Sequence, residues 1–314
     1  MDRTDEKELV KIASMYYEEG KTQAEIAKII GVSRSLVSKN LIDAKEAGLV
    51  EIFINSKSVY SATLERKLEQ KYQLKSAVVV DTMDLANHEV DKMVGRQGAL
   101  YLQKVSKKAT KIGMSWGKSL RNLVDNYPFA NQSEITVYPL IGGMGDDHVD
   151  IHSNQLSYDL ARKMRGRAKY LYAPALVSNP QIKKDLTENS TIRSVIAEAR
   201  EVDIALVGVA SPFEESTMAE IGYIDDSDMK SLKEKGIEGD INSRFFDETG
   251  NEVDCQLNKS VIGVNLKDIK KIPTVIGIAY GTKKVLPIKI ALEHQLINVL
   301  VTTDEVANEL LHEA

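Results

Sequence analysis

The stretch TKIGMSWGKSL, residues 110–120, decides how this chain is read. An apolar run ends near Met114, and Leu120, Leu123, Val124 and Tyr127 then recur at helical spacing. A buried strand therefore passes through a tight turn into a helix. Gly117 lets backbone approach a ligand closely, Ser115 and Ser119 offer hydroxyls, and Lys118 adds positive charge. Free N–H groups and the helix dipole favour an anion at such a place. The competing reading is a plain strand-to-helix turn with capping serines. The G-x-x-x-x-G-K-[ST] pattern and the GxGxxG fingerprint are both absent, so no nucleotide cofactor is indicated.

Further apolar runs surround this one: SAVVVD (76–81), ITVYPLI (135–141), AKYLYA (168–173), VDIALVGVA (202–210), TVIGIAY (274–280) and INVLVTT (297–303). Helix-patterned stretches such as GKSLRNLVDNY and STIRSVIAEAR lie between several of them. Such alternation predicts an α/β domain, a Rossmann-like parallel sheet covered on both faces. Ligands bind such sheets beyond the carboxyl ends of the strands, where strand order reverses.

Other strand ends carry their own candidates. In PLIGGMGDDHVDIHSNQ (139–155), Gly142, Gly143 and Gly145 open space beside a ligand. Asp146, Asp147, His148, Asp150 and His152 follow, but their spacing matches no metal signature and reads as a solvated loop. In GDINSRFFDETGNEV (239–253), Asp240 and Arg244 either bind hydroxyls and a phosphate or pair with each other. Lys289, early in the helix after strand 274–280, is a second phosphate candidate.

The first sixty residues are built differently. Leu9, Ile12, Ala13 and Tyr16 line one helix face, with Asp5 as its cap and Gly20 as its end. Thr22 and Glu25 form a capping box that opens a second helix, which stops at Gly31. Ser33 caps a third helix ending at Gly48. Two helices joined by so short a turn need a small residue at the crossing, a turning glycine and an apolar filler. Ala27, Gly31 and Val37 occupy those places. Arg34, Ser35, Ser38 and Lys39 then project from the part of a third helix that enters a major groove, beside Ser33, and Gln23 lies over the DNA backbone. LVEIFI (49–54) reads as the wing strand of a winged helix-turn-helix. Residues 1–60 hold nine Lys and Arg against ten Asp and Glu, so any DNA-reading charge is local to the third helix. The polar stretch 56–61 is expected to link a DNA-binding domain, 1–55, to the α/β domain, 62–314, where Leu64, Leu68 and Tyr72 form a docking stripe.

Bulk composition narrows the class. Of 314 residues, 43% are hydrophobic and 28% charged, as in ordinary globular proteins. MDRTDEKELV does not read as a signal peptide, and the apolar run 204–210 is far too short to span a bilayer, so a cytoplasmic location is expected with no membrane partner. The single cysteine, Cys255, rules out an internal disulfide and a thiolate-rich metal site.

Taken in order, TQAEIAKIIGVSRSLVSKNLIDAKEAGLVEI, GMSWGKSL, PLIGGMG, SNQLSYDLARKM, GDINSRFFD and KIALEHQLINVLVTTDEVA resemble the SorC family of bacterial sugar-responsive transcription regulators. The resemblance spans essentially the whole chain. It implies a helix-turn-helix joined to an effector domain of the sugar-phosphate isomerase and deaminase type. That domain binds a phosphorylated sugar without turning it over, in a dimer or tetramer that represses a carbohydrate operon by holding operator DNA. It places the phosphate on Ser115, Trp116, Gly117, Lys118 and Ser119, with Lys289 nearby. Sugar hydroxyls fall to Gly142, Gly143, Met144, Gly145, Gln155, Asp240 and the neighbourhood of Arg244 and Phe245. Relatives commonly carry a small hydroxyl residue where this chain has Lys118, and Ile141 leaves no amine there to capture a carbonyl. The remaining alternative is an isomerase or deaminase carrying a DNA module.

Overall fold

The computed structural model describes residues 3–51, 59–145, 147–214 and 216–312. They form two compact units, 1–57 and 58–314.

The N-terminal unit is three helices: α1 (Arg3–Tyr17), α2 (Gln23–Ile30) and α3 (Arg34–Glu46). Helix α1 already runs at Arg3, so Asp5 lies inside it and is not its cap. Leu9, Ile12, Ala13, Ile26, Val37, Leu41 and Ala44 bury one shared core, with Tyr16 packed at its margin. Met15 joins that core, one position off the expected stripe. Thr22 and Glu25 close the capping box reciprocally: the Glu25 amide donates to Thr22 Oγ1 (3.3 Å) and the Thr22 amide to Glu25 Oε2 (2.8 Å). Gly31 turns in the left-handed region at φ 74° and donates to the Ala27 carbonyl at 3.0 Å. Of the expected wing, 49–54, Leu49 and Val50 pack at the margin of the shared core without forming a strand, and residues 52–54 lie outside the described residues.

The C-terminal unit opens with α4 (Val59–Tyr72), which takes in residues 59–61 of the expected linker. Nothing in VYSATLERKLEQKY breaks a helix, and Leu64, Leu68 and Tyr72 are buried against the sheet core. Seven parallel strands follow: β1 (Ser76–Val80), β2 (Lys111–Met114), β3 (Thr136–Pro139), β4 (Arg167–Ala168), β5 (Ile204–Gly208), and then, past the antiparallel hairpin β6 (Ile237–Ile241) and β7 (Arg244–Asp247), β8 (Thr274–Ile278) and β9 (Val299–Thr303). Their spatial order is β1-β9-β8-β5-β2-β3-β4. The chain winds outward from β2 to β4, returns to β5 beside β2, and winds the other way through β8 to β9. Strand order thus reverses between β2 and β5.

Alternate residues of each strand feed opposite faces. Ala205 and Val207 join the core under α4, while Ile204 and Leu206 join the core under α5 (Asn87–Val105), α6 (Lys118–Asn126) and α7 (Ser153–Met164). This two-sided burial explains the near-continuous apolar runs. β4 is the exception. It is two residues long, and the stacked rings of Tyr170 and Tyr172 beyond it stand partly exposed. Helices α8 (Pro180–Glu188) and α9 (Ser190–Ala199) lie between β4 and β5.

Candidate functional site

In the N-terminal unit, Ser33 Oγ accepts from the Leu36 amide (3.2 Å) and from, or donates to, Ser35 Oγ (2.9 Å). Ser33 is therefore the N-cap of α3. Arg34, Ser35 and Lys39 are exposed and Ser38 and Gln23 half-exposed, while Val37, on the opposite side, is fully buried. The surface so formed presents two cations and two hydroxyls from the first turns of one helix.

In the C-terminal unit, a cavity of about 720 Å³ opens beyond the carboxyl ends of β2, β5, β8 and β9. The β2 end supplies Ser115, Trp116, Gly117, Lys118 and Ser119. Gly117 sits at φ 119°, ψ 167°, a conformation essentially restricted to glycine, and nothing lies within 4 Å of where a Cβ would stand. Backbone conformation, and not space, demands the glycine. Helix α6 begins there without a side-chain cap. Helix geometry leaves the amides of Lys118, Ser119 and Leu120 without intrahelical acceptors at this end.

The two side chains before Gly117 hold the turn in place. Ser115 Oγ donates to Asn242 Oδ1 (2.8 Å), and Trp116 Nε1 donates to Ser243 Oγ (2.9 Å). Both acceptors lie in the β6–β7 turn, where Asn242 and Ser243 take φ 56°, the double left-handed pattern of a two-residue hairpin. Asn242 Nδ2 fixes that turn by donating to the carbonyls of Leu140 (3.2 Å) and Val264 (3.0 Å). From the other side, the Gly117 amide donates to Ile151 O (3.0 Å) and Ser153 Oγ to Met114 O (2.6 Å). The Ser115 hydroxyl is thus engaged at the hairpin, and half-buried Ser119 lines the cavity in hydrogen-bond contact with Tyr280. Burial, with the Asp91 carboxylate beside it, pushes the Tyr280 phenol up to about 12.

Asp240 also lines the cavity. Its backbone pairs with Ala210 in both directions (2.9 and 3.1 Å), which carries the hairpin to the end of β5. Its carboxyl is buried, and desolvation lifts it to about 7 against the opposing pull of the Ser243 amide and the Lys284 charge.

The other expected positions lie elsewhere. Gly142 serves a close backbone crossing: a Cβ there would stand 2.4 Å from Ala173 O. Gly143 bridges Pro174, its amide donating to Ala173 O (2.9 Å). Met144 and Phe245 are buried in one hydrophobic cluster, and exposed Gly145 is not among the cavity residues. Gln155 Nε2 donates to Asp159 Oδ2 (3.1 Å) on its own helix. Arg244 is 3% exposed, pairs with Glu252 (3.2 Å), and donates to three backbone carbonyls, so it does not pair with Asp240. Lys289 lies on Val285–Glu293 outside the cavity, which takes Lys284 from the end of β8. Lys118 stands at the cavity, paired with Glu220 at 2.6 Å, with both side chains about half exposed. In the loop 147–152, His148 and Asp150 are exposed while buried His152 is held below the usual imidazole range by desolvation; Asp146 is outside the described residues.

Several cavity residues were not singled out from sequence: Gly208, Val209 and Ala210 at the end of β5, Tyr280, Gly281 and Lys284 after β8, and Asn242. The strand-end rule applied to every central strand, not only β2, was the available signal.

A family model for sugar-binding domains, Sugar-bind, matches residues 56–312. The sorbitol operon regulator of Klebsiella pneumoniae is 33% identical over 305 residues, 96% of this chain and 97% of that one. The deoxyribonucleoside regulator of Bacillus subtilis is 30% identical, with both chains covered in full. The crystal structure of the full-length Klebsiella regulator, SorC, superposes with a TM-score of 0.83 over 99% of each chain. A DeoR family transcriptional regulator from Listeria monocytogenes shares 43% identity and a TM-score of 0.76, over 80% of this chain and 99% of that one. No helix among the described residues is long and apolar enough to cross a membrane. The chain belongs to the SorC family of sugar-responsive, DNA-binding transcription regulators.

Proposed function

We propose that the chain represses a carbohydrate operon by binding operator DNA through α3, and that a phosphorylated sugar in the β2–β5 cavity sets its operator affinity. The observation that carries this reading is the uncapped N-terminus of α6 opening into the same cavity as Asp240. Its free amides, the Ser119 hydroxyl and the Lys118 and Lys284 charges suit a phosphate at one end of a ligand. Asp91, Asp240 and Glu305 are acceptors for hydroxyls. A ligand with both a phosphate and several hydroxyls satisfies both sets. Relatives named for sorbitol and deoxyribonucleoside regulation support a carbohydrate of this kind.

At the DNA, Arg34 and Lys39 reach guanine edges or phosphates and Ser35 and Ser38 the backbone or either base type, with Gln23 over the adjoining strand. The sugar acts as a switch because it binds the DNA-competent and DNA-incompetent states unequally. Assembly as a dimer or tetramer accompanies this reading, since paired recognition helices read paired half-sites, and light scattering checks it. The direct test is operator binding at fixed salt against a panel of sugar phosphates and their unphosphorylated parents. A phosphorylated compound that binds the protein without moving operator affinity contradicts the reading.

A second reading rests on Asp240. A carboxyl lifted to about 7 inside a sugar-sized cavity has the proton affinity of a general base, as an isomerase needs. Incubation with pentose and hexose phosphates, followed by NMR, separates the two: steady turnover favours an enzyme, and unchanged sugar favours a sensor.

A further inference from the structure

The β6–β7 hairpin reaches two cavities. Asp240 and Asn242 line the one described above, whereas Arg244 lines a second, of about 530 Å³, bounded by α8, α9 and the segment 252–265. This second wall is strongly basic. Lys183, Arg193, Arg200 and Lys259 join Arg244, against Glu252 and Asp254.

The ion pairs around it do not balance. Arg200 pairs with Asp268 at 3.2 Å, Lys259 with Asp254 at 2.5 Å, and Arg244 with Glu252 at 3.2 Å. Lys183 and Arg193 have no carboxylate partner among the described residues. Among the described residues, the Nζ of half-buried Lys183 reaches only the Asn258 carbonyl, at 3.4 Å, and the Nε of almost wholly buried Arg244 has no acceptor. Arg193, Arg200 and Lys259 reach solvent, but Lys183 and Arg244 are partly or wholly desolvated, and two like charges in such a place are unfavourable unless something negative joins them. Burial, and then the Arg244 charge, push the Lys183 ammonium down to about 8 against the opposing pull of Glu252.

We propose that this second cavity is a binding site for a tetrahedral oxyanion, phosphate or a phosphate monoester, gripped by Lys183 and Arg193 over the buried charge of Arg244. The two unmatched cations correspond to the charge of a dianion, and a guanidinium and an ammonium are the donors such oxygens take best. The site is separate from the α6 turn and shares only the hairpin with it.

The test uses the full chain and sulfate, which stays dianionic across neutral pH. Calorimetry of the wild type is expected to show saturable sulfate binding. Lys183→Met and Arg193→Gln, both at positions outside the hydrophobic core, are each expected to weaken it about tenfold, the loss of one charge-assisted hydrogen bond. In 13C-labelled lysine NMR, the Lys183 titration is expected to move to higher pH when sulfate is present. Gly117→Ala, which disables the first cavity, is expected to leave sulfate binding in place. Displacement by inorganic phosphate as readily as by a sugar phosphate assigns free phosphate as the ligand, and preference for the ester assigns a phosphorylated metabolite. Absence of saturable sulfate binding overturns the proposal. So does wild-type affinity in both Lys183→Met and Arg193→Gln, or loss of sulfate binding in Gly117→Ala with the Lys183 variant unaffected.

Discussion

Helix α3 of the N-terminal unit and helix α6 of the C-terminal unit each begin among serines with a cation at the first position, Arg34 in one and Lys118 in the other. At α3, the residue before the helix is Ser33 in extended conformation, and its hydroxyl closes onto the Leu36 amide. At α6, the corresponding residue is Gly117 at φ 119°, and no side chain closes the end. One helix satisfies its own first turn and offers side chains outward. The other leaves its amides to whatever enters the cavity. Similar residue types thus yield a capped helix with exposed cations and hydroxyls in one place and an uncapped helix end at a cavity in the other, and the cap position decides which.

Gly117→Ala attacks the difference hardest. Any other residue at that conformation carries about 1–3 kcal/mol of backbone strain, so the turn reorganises or the domain loses that stability. Sugar-phosphate binding, followed by calorimetry, is expected to fall by more than tenfold, while melting of the N-terminal unit stays unchanged.

Asp240 supplies a pH test of the same cavity. Its carboxyl titrates near 7 in the folded protein, above the ordinary aspartate value of 3.8. The folded state therefore favours the protonated form. The stability this gives relative to a permanently charged group is complete below about pH 4 and is lost as pH rises through about 7. The stability of the wild type relative to Asp240→Asn, read from thermal melts, is expected to decline across that window, a difference that cancels the opposite contribution of the depressed His152. Identical pH dependence in the wild type and Asp240→Asn contradicts the assignment.

Ser33→Ala is expected to cost the three-helix unit about 1 kcal/mol, the usual loss for a missing cap. Chemical denaturation followed by a probe in that unit reads it, and sugar-phosphate affinity should not move. Lys118→Thr has the smallest expected effect. The Lys118–Glu220 pair is half exposed, and such pairs contribute about 0–1 kcal/mol, so the melting temperature should hardly change. Sugar-phosphate affinity should weaken modestly, and less so at high salt.

The parts legible in sequence are those set by short-range physics. Six of the seven sheet strands, all but the two-residue β4, stood out because burial on both faces forces unbroken apolar runs, and the Thr22–Glu25 box because both partners lie within one turn. The turn at 115–119 was legible for the same reason, with strand, glycine and helix contiguous in the chain. What sequence concealed depends on who crosses whom. Gly142 looked like a ligand loop, yet it admits the backbone at Ala173, thirty-one residues on. Arg244 looked like a ligand cation beside Asp240, yet its terminal nitrogens donate to carbonyls of Asn258, Val261 and Gly263, at the second cavity and away from the first. Lys284, not Lys289, reaches the cavity because the chain enters its helix through a 3₁₀ turn directly at the end of β8. Hydroxyl donors were equally opaque: Ser115 and Ser119 are four residues apart, but only the first has Asn242 opposite it.

The most direct measurement of the central claim is the dissociation constant for operator DNA, at one fixed salt concentration, with and without saturating sugar phosphate, for the wild type and for Gly117→Ala. At least one phosphorylated sugar is expected to shift the wild-type constant by about tenfold or more, a coupling of about 1.4 kcal/mol, with no shift from its unphosphorylated parent or in the variant. A sugar phosphate that binds in the cavity yet leaves the operator constant unchanged contradicts it.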